Sequence, residues 1–163
     1  MTERTHTHPC AACGVKTECG GTYVRNYDGW PEAVCDHYHH LLDEATDEAF
    51  QCEACARKSR IAALNDLCRT AMGVAGRLFQ TPGINALAPS VQSAIREAVE
   101  EFDAFTPGND PHGERDFGAF EHDGARVFWK IDYFDPSLEG GSEDPSDPAQ
   151  TVRVLTIMLA SEY

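Results

Sequence analysis

Two matched cysteine pairs carry the clearest chemistry in the chain. Cys10 and Cys13 stand in "CAACG", and Cys52 and Cys55 in "CEAC". Four thiolates in a tetrahedral array suit zinc and leave no open coordination position, so such a site is structural. Gly14, just after Cys13, lets the backbone turn tightly enough for its amides to point at the sulfurs. Cys52 and Cys55 sit where a helix should begin, and a helix N-terminus stabilises thiolates. The expected ligand set is therefore Cys10, Cys13, Cys52 and Cys55, around one structural Zn2+. Cys-x-x-Cys pairs in a chain without an export signal point to metal binding or redox chemistry, because stable disulfides are rare in a reducing cytosol.

A glycine-bearing knuckle, a hairpin through "VKTECGGTYV" and a helix bearing the second pair together resemble the treble-clef arrangement of zinc fingers. Other ligands compete. Cys19 is one, and the run "CDHYHH" supplies Cys35, His37, His39 and His40, so a second site using Cys35 with His37 or His39 stays open beside a merely solvated histidine cluster. Cys68 falls on an apolar helix stripe and is expected in the core.

"NDPHGERDFG" sets Asp110, His112, Glu114 and Asp116 within a few residues. If 112–116 is extended, His112, Glu114 and Asp116 project to one side, where a histidine and two carboxylates can bind a divalent metal or exchange protons. The competing expectation is a turn: Asp110-Pro111 and Gly113 are turn signals, and the acids can pair with Arg115 or cap a sheet. The chain has no nucleophile elbow, no phosphate-binding glycine loop and no H-E-x-x-H.

These residues need elements to hold them. Residues 1–57 hold six of the seven cysteines, five of them up to Cys52, and five of the seven histidines, and are expected to form a small, loop-rich zinc module. Residues 58–163 are expected to form an α+β domain in the order α-β-α-β-β-α, with helices on a small antiparallel sheet. In "CARKSRIAALNDLCRTAM", Ile61, Leu64, Leu67, Cys68 and Ala71 share a helical face. "GRLFQTPG" is a short strand, and "APSVQSAIREAVEEFDAF" is a helix with a stripe of Val91, Ile95, Ala98, Val99, Phe102 and Phe105. "FGAFEHDGARVFWKIDYF" predicts a hairpin turning at Asp123-Gly124, with Val127, Trp129, Ile131 and Tyr133 on one face and Phe128, Lys130, Asp132 and Phe134 on the other. "AQTVRVLTIMLASEY" is expected to close the chain as a helix.

Charge limits the partners. The 163 residues carry 13 Lys+Arg against 27 Asp+Glu, a formal net charge of −14 spread over both parts of the chain. Such a field repels phosphates and favours basic proteins, so direct nucleic-acid binding is disfavoured and a basic nucleic-acid-binding protein is the expected partner. From Ile131 to Val152 there are six acidic residues and no Lys or Arg, an array able to imitate DNA phosphates. The aromatic run "FWKIDYF" lacks the cationic surroundings of a base-stacking platform, so Trp129 and Tyr133 are expected in the core, while Phe128 and Phe134 on the opposite face are expected under a helix or in a protein-binding patch. No window reaches the roughly 18 apolar residues of a membrane span. "MTERTHTHPC" has no apolar signal region, which makes the cytoplasm the expected location.

The segments "IAALNDLCR", "NDPHGERDFGAFEHDGARVFWKIDYFD" and "DPAQTVRVLTIMLASEY" resemble a bacterial family of unknown function, numbered 3768 among such domains, over about 58–163. The resemblance implies an accessory role on plasmids, phages and related elements, and no catalytic residues. The preferred expectation is a zinc-stapled, non-enzymatic accessory protein that binds another protein, such as a restriction- or CRISPR-type defence factor. The alternatives are a small metal-dependent enzyme using His112, Glu114 and Asp116, and a zinc-finger regulator touching DNA.

Overall fold

A computed structural model describes residues 6–9, 12–19, 23–24, 34–35 and 52–163, with side chains over 12–16 and 52–163. Backbone contacts divide the chain into two compact units, Met1–Ala56 and Arg57–Tyr163.

In the first unit, β1 (His6–Pro9) pairs antiparallel with β2 (Lys16–Cys19), His6 opposite Cys19 and Pro9 opposite Lys16. Cys13 thus lies in the connection between these two strands, and Gly14 has the positive φ of 72° that its type permits. Among the described residues, the two arms of the expected hairpin through "VKTECGGTYV" do not pair with each other. Instead β3 (Tyr23–Val24) pairs with β4 (Val34–Cys35), so β2 turns back on β1.

After α1 (Glu53–Thr70), the second unit runs through β5 (Arg77–Gln80), the short α2 (Pro82–Asn85), α3 (Pro89–Glu100), β6 (Phe117–His122), β7 (Ala125–Phe134) and β8 (Val152–Leu159). A single 3-10 turn, Ala160–Glu162, follows. The architecture is α+β. The sheet order is β5-β8-β7-β6, with β5 parallel to β8 and the other pairs antiparallel. The sheet is therefore mixed, not purely antiparallel, because α2 and α3 carry the chain from one edge strand to the other before the β6-β7-β8 meander returns.

The expected closing helix is a strand. Thr151, Arg153, Leu155 and Ile157 alternate into the interior, while Val152, Val154 and Thr156 on the other face are half-buried. A central strand packed on both faces loses the clean two-residue alternation and leaves a nearly continuous apolar run. β-branched residues then decide the matter, since they suit a pleated surface better than a helix.

The hairpin forms as expected. Asp123 and Gly124 both take positive φ, 48° and 77°, as the tight turn that matches strand twist requires. Val127, Trp129 and Ile131 are buried and lie opposite Leu159, Ile157 and Leu155 of β8. Ile95, Val99 and Phe102 of the α3 region and Cys68 of α1 complete the core. Phe102 and Phe105 meet the Trp129 ring edge-on, with centroids 5.5 and 6.2 Å away. Gly118 lies opposite Trp129, and a Cβ there would overlap the indole.

α1 departs from its expected stripe. Leu67 is 51% exposed, whereas Asn65 and Arg69 are buried beside Ile61, Ala62 and Cys68. Among the described residues, no helix is long and apolar enough to cross a membrane.

Candidate functional site

Cys13 is carried by the β1–β2 turn, and Cys52 and Cys55 flank the first residues of α1. Their spacing places Cys52 and Cys55 one helical turn apart, on one side of the helix start. The three sulfurs lie within 4.8 Å of one another, with Cys13 Sγ 3.8 Å from Cys52 Sγ. These three thiols can hold a metal ion, and among the described residues they are the group so arranged. Cys10, His37 and His39 lie outside the described residues, and Cys35 is placed by its backbone on β4 alone.

The "NDPHGERDFG" segment is a turn docked on α1 and β7. Asp110 Oδ1 accepts the backbone N–H of Glu114 at 2.9 Å and of Arg115 at 3.1 Å, which closes the loop. Gly113 and Arg115 take positive φ, 67° and 54°. The Arg115 guanidinium reaches Asp66 Oδ2 at 2.6 Å and stands over the Phe105 ring at 5.5 Å. Glu114 accepts the Tyr133 hydroxyl at 3.2 Å, and its carbonyl accepts Asn65 Nδ2 at 2.8 Å. The Asp116 carbonyl accepts the Ile131 N–H at 2.7 Å.

Burial pushes the Asp116 carboxyl above its ordinary range, its own backbone amide and His112 oppose the rise, and the Glu114 and Asp110 charges add to it. Burial also pushes the Tyr133 hydroxyl well above its ordinary value. His112 is exposed. So Asp110 and Glu114 are spent on turn closure and on Tyr133, and Asp110, His112, Glu114 and Asp116 form no metal-ligand group among the described residues.

Sequence reasoning missed the polar spine beneath this turn. Asn65 Nδ2 also donates to Tyr133 Oη at 2.7 Å, and Asn65 Oδ1 accepts Arg153 Nε at 2.8 Å. Arg153 Nη2 donates to the Pro145 carbonyl at 2.6 Å. Beside it, Arg69 Nη1 donates to the Val99 carbonyl at 2.6 Å and to that of Glu100, capping the last turn of α3 with a cation. Its Nη2 meets Asp66 Oδ1 at 3.2 Å. No local pattern marks these three residues, because apart from Asp66 their partners come from distant segments.

A second candidate is the acidic segment between β7 and β8, which repeats one device. In "DPS", "DPS" and "DPA", each aspartate accepts the N–H two residues on: Asp135 from Ser137 at 2.8 Å, Asp144 from Ser146 at 3.0 Å and Asp147 from Ala149 at 2.8 Å. The hydroxyls of Ser137 and Ser146 add bonds of 2.6 and 2.7 Å. All three carboxyls are held below their ordinary range: Asp135 chiefly by the Ser137 hydroxyl, Asp144 by the Ser146 hydroxyl and amide and then Arg57, and Asp147 by the Gln150 amide and the Ala149 N–H. The repeated Asp-Pro is legible in the sequence, whereas the hydrogen bonds that fix each carboxylate are not.

Residues 80–162 match the family described as "Protein of unknown function (DUF3768)". The chain belongs to this family. The match begins at the end of β5, so α1, with "IAALNDLCR", lies outside it. Within the DUF3768 span fall the 110–116 turn, the hairpin, the acidic segment and β8. No curated protein matches the chain, and no solved structure does.

Proposed function

We propose that this is a zinc-stapled, acidic, non-enzymatic accessory protein of a bacterial mobile element. It acts in the cytoplasm by presenting fixed carboxylates to the nucleic-acid groove of a basic host protein, in the manner of a defence-factor inhibitor. The observation that carries this reading is the three-fold Asp-Pro device. Asp135, Asp144 and Asp147 are each fixed by a local hydrogen bond, Asp144 also by Arg57 at 3.0 Å, in a stretch without a lysine or arginine of its own. Fixed charges cost less ordering on binding than mobile ones do, and they match a groove built for regularly placed phosphates.

The zinc part rests on a distance. Thiolates at about 2.3 Å from a tetrahedral zinc stand about 3.8 Å apart. Cys13 and Cys52 are separated by 3.8 Å, far beyond a disulfide bond. Cys10 is the fourth ligand of this reading, from the same knuckle as Cys13. Zinc at that place also offsets the thiolates that gather at the start of α1.

The test is competition. The immobilised full chain is loaded with a host nucleic-acid-processing protein and challenged with duplex DNA. DNA should displace the partner, and Asp144→Asn/Asp147→Asn should weaken capture about tenfold or more. A partner held equally by wild type and variant, and indifferent to DNA, contradicts the proposal.

A further inference from the structure

We propose that β6 is a self-association edge, through which two copies of this chain pair antiparallel across a two-fold axis to form one continuous eight-stranded sheet. The sheet order leaves two edge strands, β5 and β6. They are finished differently. β5 has four residues, carries exposed Arg77, and its Gln80 carbonyl is taken by Asn85 Nδ2 at 2.9 Å. A short strand with a cation and an occupied end resists further pairing.

β6 has none of these protections. It has six residues, "FGAFEH", with no proline and no basic residue before His122. Its register with β7 runs unbroken from Phe117–Lys130 to His122–Ala125, so no bulge turns the edge away. Among the described residues, the Phe117–His122 backbone has no hydrogen-bond partner besides β7. That leaves a row of N–H and C=O groups whose geometry fits another strand.

Two further features select a second copy as the occupant. One is charge. A chain at −14 repels itself, but the charges of the β6–β7 pair cancel: Glu121 stands opposite Arg126, and Lys130 Nζ is held by Asp132 at 2.8 Å. Along this edge the like-charge repulsion is therefore smaller than the net charge of the chain implies. The other is an aromatic cluster on the sheet face beside the edge. Phe117, Phe128 and Tyr163 touch edge-on, with centroids 5.5 to 6.3 Å apart, and Tyr163 remains 76% exposed. A two-fold mate brings its own cluster to the same face, which buries apolar surface that strand pairing alone would not.

Sedimentation equilibrium on the tag-free full chain, with and without Ala119→Lys, tests this. Ala119 lies on the same face as Phe117, where a lysine is a common edge-blocker. The wild type should approach twice its monomer mass with rising concentration, and Ala119→Lys should weaken association about tenfold or more while keeping the near-ultraviolet signal of Trp129. A monomer at every concentration up to about 1 mM overturns the proposal, as does a dimer unchanged in a folded Ala119→Lys variant. Should that variant fail to fold, amide exchange on the wild type decides. Slower exchange along β6 at high than at low concentration supports the edge pairing, and equal exchange overturns it.

Discussion

Asn65 and Arg153, 88 positions apart, are joined by a 2.8 Å hydrogen bond from Arg153 Nε to Asn65 Oδ1, both residues being buried. Asn65 also donates to Glu114 and Tyr133, and Arg153 also holds the Pro145 carbonyl. One asparagine therefore ties α1 to the 110–116 turn and, through Arg153, to the acidic segment. Replacing it with an apolar residue of similar size leaves several polar groups buried without partners. Asn65→Leu should cost about 3 kcal/mol, read by urea unfolding followed at Trp129. A loss below about 0.5 kcal/mol would show that these groups find other partners.

Arg69 caps the α3 carbonyls and stands over the Phe105 and Trp129 rings at 5.8 and 5.7 Å. A lysine keeps the charge but not the planar fork that reaches Val99, Glu100 and Asp66 together. Arg69→Lys should lose about 2 kcal/mol in the same unfolding measurement, and an unchanged midpoint would contradict the capping role.

The contact between Gly118 and the Trp129 indole leaves no room for a side chain. Gly118→Ala should destabilise by about 1–3 kcal/mol and shift the Trp129 fluorescence maximum as the ring is displaced. A variant as stable as wild type, with an unshifted spectrum, would show that the ring can move aside freely.

Glu162 accepts the Thr81 hydroxyl at 2.6 Å, the Gly83 N–H at 2.8 Å and the Leu159 N–H at 3.1 Å, and the Thr81 and Gly83 bonds chiefly hold its carboxyl below the ordinary range. A lowered folded value means stability that is present above the unfolded carboxyl range and lost as pH falls through the folded value. The stability gap between wild type and Glu162→Gln should therefore be widest near neutral pH and shrink as the solution is acidified. Asp116, whose folded value is raised, runs the other way: its share is fully present below the unfolded value and is lost as pH rises through the folded one. A gap for Glu162→Gln that is constant from neutral pH to about pH 3 would contradict the clamp.

Local patterns were legible in the sequence, and long-range partners were not. The Asp123-Gly124 turn and the Val127-Trp129-Ile131 alternation follow from rules that act within a few residues, and both are present. β8 defied the same reasoning because its two packed faces hide the period that marks a strand, while Leu155, Met158 and Leu159 suit a helix equally well. Leu67, expected on the buried face of α1, is exposed, and Asn65 is buried with partners at Glu114, Tyr133 and Arg153. The cysteine cluster was legible because metal chemistry constrains residue type and spacing at once, and Cys13, Cys52 and Cys55 do converge. The 110–116 segment offered the residue types of a site, but its turn signals described the arrangement found.

The proposed function stands on a metal ion that staples the cysteine pairs. Elemental analysis of the tag-free full chain, repeated on Cys52→Ser/Cys55→Ser, tests it most directly. One zinc per chain in the wild type, lost in the variant, is the expected result. A wild type that carries no zinc, or a variant that keeps it, would contradict the claim.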